Sequence, residues 1–154
     1  MPEFHLDTSG RVDHVHPGNG RTYQVDWPEL DAFTQGYIEA LFFTDASDSD
    51  DELYGKGFSD LAPETLAAII DDCRKFCETP AYASVRDCEG SWAIASKATV
   101  EHAGRDFWYT RNGHGCGFWD GDWPEPYATS LTDASKAFRS LDAYLGDDGK
   151  VYLA

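Results

Sequence analysis

Apolar positions recur at helical spacing in two stretches of the chain. Leu30, Phe33, Tyr37, Ile38, Leu41 and Phe42 fall on one helix face. Asp26 is placed to cap that helix, with Pro28 in its first turn and Glu29 at the capping-box position. After Asp60, with Pro63 and Glu64 in the first turn, Leu61, Leu66, Ile69, Ile70, Cys73, Phe76 and Cys77 form a second stripe. Over residues 1–25, Val12, Val15, Tyr23 and Val25 are interrupted by Pro17-Gly18-Asn19-Gly20, which fits a hairpin or a loosely attached arm. Ala81 to His102 favours helix, broken at Gly90. Two short strands are expected at Phe107–Thr110 and Gly117–Asp120, joined as a hairpin by Arg111-Asn112-Gly113-His114-Gly115. Ser130 and Asp133 resemble a capping box for a third helix through Leu131, Ala134, Phe138, Leu141 and Leu145. Asp147-Asp148-Gly149 then turns the chain into a last strand at Val151–Leu153. The pattern predicts an α+β fold: about three amphipathic helices on a small antiparallel sheet with a C-terminal hairpin, in one domain spanning residues 1–154 and without internal repeats.

Thr44 to Glu52 breaks the periodicity. Asp45, Asp48, Asp50, Asp51 and Glu52 stand among Ser and Ala, so this stretch is expected as an exposed acidic loop. A calcium loop of the EF-hand kind needs Gly at its sixth position and Glu at its twelfth. Starting at Asp45 these positions hold Asp50 and Lys56, and starting at Asp48 they hold Leu53 and Ser59.

Charge narrows the function classes. Against 28 acidic residues stand 12 basic ones, for a formal charge of −16, which opposes direct contact with a phosphate backbone. The same charge steers the chain toward basic surfaces, including proteins that hold nucleic acid. Asp outnumbers Glu by 19 to 9 and Lys is scarce, a composition also met in proteins of salt-loving organisms. No apolar run approaches the roughly 20 residues of a membrane helix, and Met1 to Gly10 is polar. The expected compartment is the cytoplasm, with Cys73, Cys77, Cys88 and Cys116 reduced.

Candidate chemistry concentrates at Asp106, Arg111, His114, Cys116 and Asp120. His114 and Cys116 share a face two residues apart, which does not place them for in-line attack, and no oxyanion-hole sequence is evident. Gly113, Gly115 and Gly117 instead suit tight backbone geometry around Phe107, Trp108, Phe118 and Trp119. A zinc site from the four Cys with His14, His16, His102 and His114 lacks a short Cys pair in a loop, because Cys73 and Cys77 belong to a helix stripe. Phosphate-loop, GxSxG and HExxH motifs are absent. Neither catalysis nor a metal or cofactor is expected.

The stretch DFWYTRNGHGCGFWD at Asp106–Asp120, with the GDDGKVY turn at Gly146–Tyr152, resembles a family of small acidic proteins encoded by tailed bacteriophages. The likeness extends upstream through LAPETLAAIIDDCRKF at Leu61–Phe76 and does not cover the N-terminal third. It implies a phage or prophage origin and transfers no catalytic assignment. Sixteen net charges equal those of roughly 8 base pairs of duplex. The resulting expectation is a phage-encoded inhibitor in the host cytoplasm, acting as an acidic nucleic-acid mimic on a basic host defence or DNA-handling protein. Its contacts are expected at Asp45, Asp48, Asp50, Asp51 and Glu52, then at Glu39, Asp120 and Asp122. The competing expectation is a protein- or ligand-binding module that grips its partner with His114, Trp119 and Trp123.

Overall fold

A computed structural model of the chain describes residues 4–15, 18–87 and 96–154. Strands β1 (Arg11–Val15) and β2 (Thr22–Asp26) pair antiparallel, Val12 facing Val25 with both side chains buried. The hairpin alternative for the N-terminal segment therefore describes it. His14 is buried against Tyr23, and His16 and Pro17 lie outside the described residues.

A 3₁₀ turn at Trp27–Glu29 precedes α1 (Ala32–Asp45). The helix cap is Asp31, whose Oδ1 accepts the Thr34 amide at 2.8 Å, and Asp26 caps only the short turn, without a side-chain bond. Leu30 is extended, so the helix predicted from Asp26 has to restart five residues later. Helix α2 (Pro63–Cys77) follows the predicted stripe. Next come α3 (Pro80–Arg86), α4 (Lys97–Arg111) and α5 (Tyr127–Lys136). A second hairpin, β3 (Ala143–Leu145) with β4 (Val151–Leu153), closes the described chain. The class is α+β, with five helices and two separate two-stranded sheets among the described residues instead of three helices on one sheet. The Gly90 break, with Cys88, lies outside those residues.

The hairpin expected at residues 107–120 is not formed. Val100, Ala103, Gly104, Phe107, Trp108 and Arg111 recur at helical spacing, and α4 runs on through Arg111. Asn112-Gly113 ends that helix. Gly113 takes φ +70° and donates to the Thr110 carbonyl at 3.3 Å, while His114 donates to the Tyr109 carbonyl at 3.0 Å, the pair of bonds that closes a helix with a left-handed glycine. The third helix is also displaced, starting at Tyr127 and stopping at Lys136. Arg111 and Asn112 seize the backbone beyond it: the guanidinium donates to the Arg139 carbonyl at 2.7 and 3.0 Å, and Asn112 Oδ1 accepts the Leu141 amide at 2.8 Å. Residues so held cannot continue a helix.

Helices α1 and α4 form the most extensive helix contact. A Cβ on Gly36 would overlap the Glu101 carbonyl, and one on Gly104 would overlap the Phe33 carbonyl, so the two backbones touch reciprocally. Around this crossing lies an aromatic core. Phe76 stacks on Phe107 at 4.2 Å and on Phe118 at 5.7 Å, with Phe33, Tyr37 and Trp108 adjoining. Such ring pairs add about 0.5–1.5 kcal/mol each beyond area burial. The C-terminal hairpin is fastened to the start of α2, where the Val151 carbonyl accepts Ala62 N at 3.1 Å and Thr65 Oγ1 at 2.9 Å. Among the described residues, no helix is long and apolar enough to cross a membrane.

Candidate functional site

The acidic segment leaves α1 at Asp45 and is held by its own side chains. Asp51 Oδ2 accepts the Asp48 amide at 3.0 Å, Asp48 Oδ1 accepts the Asp50 amide at 3.0 Å, and Ser47 Oγ donates to the Phe43 carbonyl at 2.6 Å. Backbone bonds from Asp51 to the Asp48 carbonyl and from Tyr54 to the Asp51 carbonyl complete two turns, and buried Leu53 pins the far end. The loop is thus short and internally bonded, with Asp48, Asp50 and Glu52 exposed and Asp51 half-buried. Glu52 reaches across to accept the Leu145 amide at 3.4 Å. Asp45 is half-buried, and its carboxyl is raised above the usual range by loss of solvent, against the opposing pull of Thr44 and His114.

On α2 and α3, Asp71 meets Arg74 and Lys75 at 2.7 and 2.8 Å, Glu78 meets Arg74 at 3.0 Å, and Asp87 meets Arg86 at 3.0 Å. No Lys or Arg of the described residues pairs with Asp45, Asp48, Asp50, Asp51 or Glu52. Glu39 does not belong with them. It faces Arg105 at 3.6 Å, and desolvation raises its carboxyl. Beside the loop lies a groove of about 700 Å³, lined by Phe4, Phe43, Asp48, Tyr54 and Lys56 among others. Phe43 and Tyr54 are 51% and 57% exposed, so aromatic surface flanks the carboxylates.

The second candidate surface is the loop after α4. Thr110 Oγ1 accepts the Phe118 amide at 3.1 Å, and Asp120 Oδ2 accepts the Gly117 amide at 3.2 Å, folding the loop back on the helix. A Cβ on Gly117 would collide with Thr110 Oγ1, and its φ of +156° also favours glycine. Trp119 is 52% exposed. Trp123, expected as its companion anchor, is 6% exposed, and its indole donates to Asp106 at 2.7 Å, so it belongs to the interior. His114 is half-buried near Trp108 and Tyr109. Cys116 is held as a thiol by burial and by Asp106, Asp120 and Asp122, the opposite of nucleophile activation.

No protein family, curated protein or solved structure matches this chain. Most of the distinctive DFWYTRNGHGCGFWD segment is occupied in construction. Trp108 Nε1 donates to Thr44 at 2.9 Å, and Arg111, with 2% of its side chain exposed, contacts Asp72 at 2.8 Å and Tyr37 at 3.2 Å. The Arg111 guanidinium also lies 5.4 Å from the Phe107 and Phe138 ring centres.

Sequence reasoning missed two features. The exposed aromatics Phe43 and Tyr54 were legible in part, since Phe43 falls one position beyond the apolar stripe of α1. The other is a meeting of His102, Asp106 and Asp122. His102 Nε2 lies 3.1 Å from Asp106 and 3.3 Å from Asp122. The i,i+4 spacing of His102 and Asp106 is a signal only once this stretch is recognised as helix.

Proposed function

We propose that the chain is a phage-encoded binding protein that occupies the nucleic-acid site of a host defence or DNA-handling protein in the cytoplasm, offering carboxylates in place of phosphates. The observation that carries this reading is a concentration of unpaired charge: Asp71, Asp72, Glu78 and Asp87 each meet a Lys or Arg, whereas the five carboxylates of residues 45–52 have no such partner among the described residues. Internal bonding supports it further, because a loop already fixed by Asp48 and Asp51 loses little freedom on docking. Asp120 and Asp122 extend the acidic surface on a second loop, while Glu39, shared with Arg105, is withdrawn from the contact set.

The test is a pull-down from nuclease-treated bacterial lysate with rising salt, followed by competition with duplex DNA. The expected result is a nucleic-acid-binding protein that elutes at high salt and is displaced by DNA. Its affinity should fall by about tenfold or more in the Asp48→Asn, Asp50→Asn, Asp51→Asn, Glu52→Gln variant, which keeps the acceptor oxygens of the loop. Undiminished binding by that variant would overturn the reading.

The exposure of Trp119 favours a second reading, in which an aromatic surface with His114 grips a protein or small ligand. Trp119→Ala separates the two, abolishing binding under this reading and sparing it under the first.

A further inference from the structure

We propose that His102, Asp106 and Asp122 form a binding site for a divalent transition ion of the zinc or cobalt(II) class, which clasps the loop after α4 onto that helix. The three donor atoms come from two elements, two of them one helical turn apart on α4 and the third from the loop, and all lie within 4.8 Å of one another. Ligands at about 2.0–2.2 Å from a tetrahedral ion stand roughly 3.3–3.6 Å apart. The imidazole–carboxylate separations of 3.1 and 3.3 Å approach that spacing.

Charge leaves the cluster incomplete. Asp106 is 3% exposed, yet no Lys or Arg of the described residues pairs with it. Even a protonated imidazole would leave two carboxylates facing one positive charge. A neutral imidazole brings a single N–H to two oxygens, so at least one of them goes unmet by His102. A cation set among the three atoms satisfies them together. Trp123 then acts as an outer partner: its indole N–H donates to Asp106 at 2.7 Å and fixes the carboxylate, as hydrogen-bonded groups around metal ligands do. One imidazole with two carboxylates suits a borderline ion better than calcium, which takes oxygen ligands, or copper(I), which prefers sulfur. Water completes the coordination on the side where Asp122 is 57% exposed.

The site shares Asp122 with the proposed acidic surface, but its test needs no partner. The untagged full chain, stripped with chelator, is titrated with zinc by calorimetry and with cobalt(II) by visible absorption. The expected result is one equivalent bound, a cobalt ligand-field band, and a melting temperature raised by roughly 5–10 °C at a hundredfold the Kd. His102→Gln and Asp122→Asn should each weaken binding at least about tenfold and remove the thermal shift. Asp106 is left unchanged because it also holds Trp123 in the core. Should His102→Gln fail to fold by circular dichroism, Asp122→Asn decides alone, since its side chain is largely in water. Binding undiminished in the folded variants, or no saturable uptake below about 100 µM, overturns the proposal.

Discussion

Asp45 illustrates how a half-buried carboxyl can cost stability. Burial raises its carboxyl pKa above the unfolded value, so the folded state holds the proton more tightly. Such a group favours folding below the unfolded carboxyl range, and that contribution is lost as pH rises through the folded pKa. At neutral pH the charged form is therefore a penalty, and Asp45→Asn is expected to stabilise the protein, by less than about 1 kcal/mol because water still reaches the group. Urea midpoints at pH 7 and pH 4 check this: the advantage should shrink at the lower pH, and a variant destabilised at both would refute the account. Arg111 is the opposite case. Its buried charge is matched by Asp72, the Arg139 carbonyl and two ring faces, and it organises the fold. Nothing in the sequence distinguishes these two roles, because a charged residue beside a Gly-rich segment reads as surface. Asp45 was legible as part of an acidic stretch from composition. The burial of Arg111 and Asp106 was not, since it depends on partners 39 and 17 residues away in the chain.

At the level of elements, the α1–α4 crossing sets the position of everything that follows. Because Gly36 and Gly104 each face the other helix's backbone, neither helix can retreat locally to admit a methyl group. Gly104→Ala is expected to cost about 2 kcal/mol or more in chemical denaturation. In a solvent-facing helix the same change would gain about 1 kcal/mol from propensity. A neutral or stabilising result would show that the crossing relaxes. Helices α1 and α2 were readable because their apolar spacing is regular and their polar faces are plain. Helix α4 was hidden by its own composition: β-favouring aromatics precede Asn-Gly, a pair that serves a hairpin turn and a helix end equally well. Only the run of small residues Ala103 and Gly104 one turn before Phe107 and Trp108 argues for the helix, and it does so through packing with a distant element.

For the whole molecule, a charge of −16 on 154 residues makes self-repulsion a term in stability. Since the residue 45–52 carboxylates have no basic partner among the described residues, added salt should screen repulsion more than it weakens attraction. Thermal scans between about 50 mM and 500 mM sodium chloride should show a melting temperature rising by a few degrees. A fall would mean that the ion pairs of α2 and α3 outweigh the repulsion elsewhere. Net charge and the acidic loop were visible in the sequence, while the division into paired and unpaired carboxylates required the arrangement of α2, α3 and the loop in space. The backbone hooks of Thr110, Arg111 and Asn112 bear on how such a chain can change over generations. Each hook tolerates few replacements, whereas Asp50, exposed in the acidic loop, holds no backbone amide with its side chain as Asp48, Asp51 and Glu52 do. Substitution is therefore expected to be tolerated more readily at Asp50 than at Thr110, Arg111 and Asn112, so the most recognisable stretch of the sequence is also the one least free to vary.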